Sequence, residues 1–179
     1  MKGEFFLIRY FVADEYVKNI FQIDLMKLKE DGKRVILTDL DNTLVGATVK
    51  APTPEILKFF DEAKQLGFEV IIVSNNNKDR VAYFAKDLKI KAAHHKALKP
   101  LKVKLSRILK QYDRSQVVMI GDQLMTDVLV AKRLGLYMIL VEPVHLHSDE
   151  SSTKLNRQLE KLVVKRLKKR QLPTPPYLD

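Results

Sequence analysis

In "TDLDNTLVG", residues 38–46, Asp39 and Asp41 flank a single leucine where the apolar run "VIL" ends. Side chains alternate along extended backbone, so both carboxylates point one way and Thr38 and Leu40 the other. Two like charges roughly 6–7 Å apart repel unless something cationic sits between them. The plain structural alternative is a turn that closes a strand with both carboxylates in water. Further along stand Ser74 in "SNNN", Lys99 in "ALKP", and Asp122 and Asp127 in "GDQLMTD". Asp39, Asp41, Asp122 and Asp127 form a hard oxygen set in a chain without cysteine, which favours Mg²⁺. Ser74 offers a hydroxyl, the amides after it open a helix, and Lys99 adds a point charge. Together with a metal these are the groups that stabilise the oxygens of a phosphoryl group in transfer. One aspartate could attack phosphorus as a nucleophile while the other protonates the leaving group and then activates water. The absence of GxxxxGK[ST] excludes a P-loop nucleotide site. His94 and His95 are adjacent, so a strand would splay them to opposite faces. His145 and His147 lack a third ligand, and neither pair makes a zinc site.

The elements that must position these groups follow from the apolar pattern. Strands are expected at "RVILTD", "FEVIIVSN", "IKAAHH", "SQVVMIGD" and "LYMILVEP". Helices are expected at "TPEILKFFDEAKQLG" with Thr53 as N-cap and Gly67 as stop, at "NKDRVAYFAKDLK", at "PLKVKLSRILKQYD" and at "QLMTDVLVAKRLG". "YVKNIFQIDLMKLKEDGK" reads as a lead-in helix or loop. Five alternations with short connections predict an α/β fold: a mainly five-stranded parallel sheet, Rossmann-like, with helices on both faces in three layers. Ligands of such sheets bind beyond the carboxyl ends of the strands. Asp39, Ser74 and Asp122 fall at those ends and Lys99 just past the third. Convergence from distant parts of the chain outweighs the turn reading.

These motifs, in this order and on these strand ends, resemble the haloacid dehalogenase (HAD) superfamily over about residues 34–142. The resemblance implies Asp39 as nucleophile, through an aspartyl phosphate, and Asp41 as general acid/base. It implies phosphate binding by Thr43, Ser74, Asn75 and Lys99, with Lys99 also balancing the nucleophile's charge. Lys96 is the weaker match for that lysine, because Lys99 is the one that precedes proline. Mg²⁺ would be held by Asp39, the Asp41 carbonyl oxygen and Asp122, with Asp127 acting through water or by orienting Lys99. About 30 residues separate Thr43 from Ser74 and about 25 separate Ser74 from Lys99, each mostly one helix, which leaves no room for the family's cap domain. More narrowly, "DLDNTLV", "SNN", "ALKP" and "GDQLMTDVL" look like the capless subfamily IIIA, YqeG-type phosphatases, a group related to phosphatidylglycerophosphate phosphatases. The chain departs from the group at Val130 and Ala131, where a glycine is usual. A capless site suits a phosphate displayed on something large, such as a protein, a nucleic acid end or a lipid headgroup.

The 179 residues, 46% of them hydrophobic, suffice for one domain with a real core. Expected segments are a lead-in over 1–33, a catalytic core over 34–148, and a basic amphipathic helix with a Pro-rich tail over 149–179. The net charge is +10, and +7 of it lies between Lys154 and Arg170, where eight basic residues accompany one acid, Glu160. Leu155, Leu159, Leu162, Val163 and Leu167 recur at helical spacing there, opposite Lys154, Arg157, Lys161, Lys165 and Lys168. The plain reading docks the leucines on the sheet. The functional ones are attraction to anionic lipid or, less favoured for want of stacking aromatics, to nucleic acid. Arg9 interrupts the first apolar run, no cleavage site follows, and no run approaches bilayer length, so a cytoplasmic protein is expected, at most peripheral to a membrane. The competing function is a non-enzymatic nucleic-acid-, ribosome- or membrane-binding module that uses the basic helix. The Asp39, Asp41, Ser74, Lys99 and Asp122 set argues against it, because a scaffold needs none of them.

Overall fold

The computed structural model describes residues 7–88, 90–144 and 151–178, with backbone alone for 151–157. Six strands, all parallel, form one sheet: β1 (Glu15–Val17), β2 (Val35–Thr38), β3 (Glu69–Val73), β4 (Ala92–His94), β5 (Val117–Gly121) and β6 (Tyr137–Val141), in the order β1-β6-β5-β2-β3-β4. The five expected strands are all present. The sixth, β1, comes from the segment read as lead-in, and "EYV" is too short to show a period. It is an edge strand registered on Ile139–Val141 of β6, so only its neighbour defines it.

Helices α1 (Leu25–Glu30), α2 (Pro54–Gln65) and α3 (Lys78–Ala85) cover one face of the sheet. Helices α4 (Val103–Ile108), α5 (Leu129–Leu134) and α6 (Ser151–Lys169) cover the other. The strands' continuous apolar runs have this cause. Ile36, Ile72 and Ile120 face one helical layer, while Leu37, Ile71 and Met119 face the other. α2 begins as its residues dictate: the Thr53 side chain accepts from the Ile56 amide, and Pro54 takes the first turn. It buries Ile56, Phe59, Phe60 and Ala63, one stripe at helical spacing, and the chain leaves it through Gly67 at φ +87°.

Three expected helices are shorter or differently wound. α3 ends at Ala85, and α4 starts at Val103 rather than at Pro100. "QLMTDVLVAKRLG" is a π-helical turn over Leu124–Val128 that passes into α5. A widened turn of this kind re-aims side chains, and it recurs at functional sites. Val130 and Ala131, where a glycine is usual, are fully buried against the sheet.

The basic helix forms, but only part of the expected stripe docks. Val164 and Leu167 are buried together with Glu160, whereas Leu159 and Leu162 are exposed (37% and 53%). Of the expected stripe, Leu167 and the half-buried Val163 pack on the core while Leu159 and Leu162 do not, because the contact is set by what the sheet and the loop after β5 present. The side chains of Lys154, Leu155 and Arg157, and both His145 and His147, lie outside the described residues. No helix among the described residues is long and apolar enough to cross a membrane.

Candidate active site

β2 lies beside β3 on one side and β5 on the other, and the chain crosses from one side to the other after β4. The crevice at this switch point is where a doubly wound sheet receives a ligand. Asp39 is the first residue past β2. Its amide still donates to the Ile120 carbonyl at 2.9 Å, so the β2–β5 ladder fixes it. Asp122 is the first residue past β5, and Ser74 the first past β3, its amide donating to the His94 carbonyl at 2.9 Å. Sheet geometry thus brings three polar side chains from three strands to one edge.

Lys99 arrives on the loop after β4 and is almost wholly buried (5% exposed). Its ammonium lies 2.7 Å from Asp39 Oδ1 and 2.7 Å from Asp127 Oδ1. Asn75 holds the loop from both sides: its Nδ2 donates to the Lys99 carbonyl (3.0 Å), and its Oδ1 accepts from the Lys99 amide (2.8 Å). Asn75 therefore uses its side chain to position lysine. Lys96 is exposed at the rim. Thr43 sits behind the carboxylates, where its hydroxyl donates to Asp122 Oδ1 at 3.0 Å. The π-turn carries Asp127, whose Oδ2 accepts from the Gln123 amide at 3.1 Å. Gly121 makes room for it, since a Cβ there would stand 2.5 Å from Asp127 Cβ.

Three buried carboxylates face one ammonium. Burial drives the Asp39 carboxyl up to about 7, with Lys99 opposing and Asp127 reinforcing the rise. Burial, then Asp127 and Asp39, raises Asp122 well above the usual range, and the Thr43 hydroxyl offsets part of this. For Lys99, burial alone would lower the pKa, but Asp127 and Asp39 outweigh it and raise it, so the lysine stays charged. One oxygen from each of Asp39, Asp122 and Asp127 lies within 4.8 Å of the others. Oxygen-only donors in excess of the local positive charge fit a hard divalent cation.

Asp41 lines the same cleft but points elsewhere. Its Oδ1 accepts from Arg80 Nη2 (2.9 Å) and Nε (3.1 Å), and its Oδ2 from Asn76 Nδ2 (3.0 Å). The three asparagines after Ser74 thus divide their work. Asn75 clamps the lysine loop, Asn76 holds Asp41, and Asn77 caps α3 by accepting from the Arg80 amide. The cleft encloses about 580 Å³ and is lined by Asp39, Asp41, Ser74, Asn75, Lys99 and Thr126 among others.

Sequence reasoning missed Arg80, Asn76, Glu160 and Tyr177. Glu160 Oε1 accepts from the Leu124 amide at 2.7 Å, and the Tyr177 hydroxyl donates to the Asp122 carbonyl at 3.2 Å. The basic helix and the tail thereby brace the loop that carries Asp122 and Asp127. A signal for Glu160 existed, since it is the one acid in a basic segment. Arg80 gave none, as it reads as an ordinary helical cation.

A parallel sheet with this acidic switch point defines a recognisable class. The model of the haloacid dehalogenase-like hydrolases matches residues 5–135, and the chain belongs to that family. It is 43% identical over 166 residues to the "Probable phosphatase YqeG" of Bacillus subtilis (strain 168), across 92% of this chain and 95% of that protein. It is 27% identical over 161 residues to the chloroplastic/mitochondrial phosphatidylglycerophosphate phosphatase 1 of Arabidopsis thaliana, across 84% of this chain but 46% of that protein's length. In fold it is similar to the 3-deoxy-D-manno-octulosonate 8-phosphate phosphatase of Moraxella catarrhalis. The TM-score is 0.50 at 17% identity, and the match covers 79% of this chain and 92% of that one.

Proposed function

We propose that the chain is a Mg²⁺-dependent phosphomonoesterase whose nucleophile is Asp39. The observation that carries this reading is the Lys99 ammonium, held 2.7 Å from Asp39 at the floor of a cleft that Ser74 also lines. Lys99 would take one carboxylate oxygen and leave the other to attack phosphorus. An Asp39–phosphorus bond forms, the ester oxygen departs, and that oxygen takes a proton from Asp41. Water then attacks the acyl phosphate, gives a proton to Asp41, and frees Asp39 and inorganic phosphate. Asp39, Asp122, Asp127 and the Asp41 carbonyl are the groups that would hold Mg²⁺, which when bound offsets the charge of the carboxylates and of the phosphate. Asp41 has to leave Arg80 and Asn76 to reach a leaving group.

The β2–β3 and β3–β4 connections each contain one helix, α2 and α3. A site so little covered suits a phosphate carried on a large or assembled substrate, and the Arabidopsis thaliana relative's name makes phosphatidylglycerophosphate the lipid to try first. Purified protein should hydrolyse a generic phosphomonoester with Mg²⁺ and not with excess chelator, and Asp39→Asn should abolish turnover. Full activity in Asp39→Asn would rule the assignment out. Phosphatidylglycerophosphate in mixed micelles, run against soluble sugar and nucleotide monophosphates, tests the lipid preference.

A further inference from the structure

The loop between β4 and α4 has two sides. It buries Ala97 and Lys99 and turns Leu98, Leu101 and Val103 outward, at 59%, 57% and 62% exposure. Leu98 and Leu101 share one turn, closed by the Leu101 amide on the Leu98 carbonyl at 2.8 Å. Leu98 adopts φ +59° and Lys96 φ +45°, a left-handed conformation that branched and long side chains rarely take. A strained backbone that holds a leucine out in water calls for a use of that leucine. Charge accompanies the apolar tips: from Ala92 to Tyr112 there are six basic residues and no acidic one. Of these Lys96, Lys102, Arg107 and Lys110 are exposed, and Arg107 shares a helical face with Val103. Lys96 and Pro100 also line the cleft, and Lys99 is at its floor. Whatever receives the leucines therefore meets the mouth of the active site.

We infer that this rim, Leu98, Leu101 and Val103 set among Lys96, Lys102 and Arg107, is a docking surface for an anionic lipid bilayer that holds the cleft against the headgroup layer. Short protruding aliphatic side chains ringed by cations match the acyl boundary and its anionic headgroups. No aromatic residue stands between Lys96 and Arg107 to stack on nucleic acid bases. α6 has its own exposed Leu159 and Leu162, but among its described side chains none lines the cleft, so a membrane held there would not be presented to Lys99. The purpose of the surface rests on the phosphatase reading, but its existence is measured without turnover.

Full-length protein should cosediment at low salt with phosphatidylcholine vesicles that contain phosphatidylserine, and not with phosphatidylcholine alone. Leu101→Ser/Val103→Ser, with melting checked against the wild type, should weaken that binding by roughly tenfold or more. The chain contains no tryptophan, so Leu101→Trp gives a single reporter. Its emission should shift to the blue on the mixed vesicles and be quenched by brominated acyl chains. Asp39→Asn should bind vesicles like the wild type, which separates this inference from the catalytic assignment. Undiminished binding by the double serine variant, or loss of binding on Lys161→Glu/Lys165→Glu alone, would overturn the inference. So would an indole of the Leu101→Trp variant that stays in water while the protein is bound, or an affinity for RNA with none for vesicles.

Discussion

Arg80 and Asn76 fix where the Asp41 carboxylate points. Two guanidinium nitrogens on one oxygen and Asn76 on the other give the carboxylate one defined orientation. General acid help matters for a poor leaving group and little for an activated one, and such help is worth about 10²–10⁴ in rate. Asp41→Asn should therefore cost about that factor in kcat on an alkyl phosphate and far less on an activated aryl ester. Arg80→Ala should show the same contrast at reduced size, about tenfold. A loss equal for both esters would mean that Arg80 only supports the fold. Gly121 is constrained by space, since a methyl there would overlap Asp127 at 2.5 Å. Gly121→Ala should lower melting stability by about 1–3 kcal/mol, and activity by about 10²-fold, because a displacement near 1 Å at a reacting centre has that effect. Steady-state kinetics and a thermal melt on the one variant check both.

At the scale of elements, the loop from β5 to α5 carries the acidic cluster, and its bracing comes from the far end of the chain. Glu160 on α6 closes on the Leu124 amide where the π-turn begins, in a buried setting. Glu160→Ala leaves that amide unpaired, a loss of about 1–3 kcal/mol. The variant should also need more Mg²⁺ for half-maximal activity, since Asp122 and Asp127 ride on the same loop. Glu160→Gln, which can still accept the hydrogen bond, should recover most of both. A Glu160→Ala protein with unchanged Mg²⁺ dependence would limit the helix to packing. The sequence marked Glu160 as the one acid among bases but not its partner, because the contact joins residues 36 positions apart. The four longer strands, by contrast, were legible from their apolar runs, β4 from its place in the alternation, and α2 from Thr53, Pro54 and Gly67. β1 was not, because three residues on a sheet edge take their identity from β6.

For the whole molecule, the acidic cluster is a burden until a cation offsets it. The folded pKa of Asp39, about 7, lies above its ordinary value of 3.8, and Asp122 is raised as well. A carboxyl raised by folding contributes stability that is fully present below its unfolded pKa and is lost as pH rises through its folded one. Metal-free protein should thus melt higher at about pH 5 than at about pH 8, a difference of order a few kcal/mol at most. Saturating Mg²⁺ should narrow the gap by stabilising the ionised form. Calorimetry in chelator and in Mg²⁺ checks this, and a metal-free protein more stable at the higher pH would contradict it. The net charge works on a longer range, favouring acidic surfaces as partners without choosing between them.

Which residues meet was already written in local sequence. Strand ends are encoded by local apolar runs, and a parallel sheet gathers its carboxyl ends at one edge, so Asp39, Asp41, Ser74, Lys99, Asp122 and Asp127 could be placed together from the order of the motifs. How they face one another depends on packing: Asp41 toward Arg80, Thr43 behind Asp122, Asn75 on the lysine loop, and α6 docking through Glu160, Val164 and Leu167 while Leu159 and Leu162 stay exposed. The reason is one of range. Periodicity and turn chemistry act over a few neighbouring residues, whereas a side chain's rotamer and partners are fixed by atoms that only the packed chain brings within 3 Å or so.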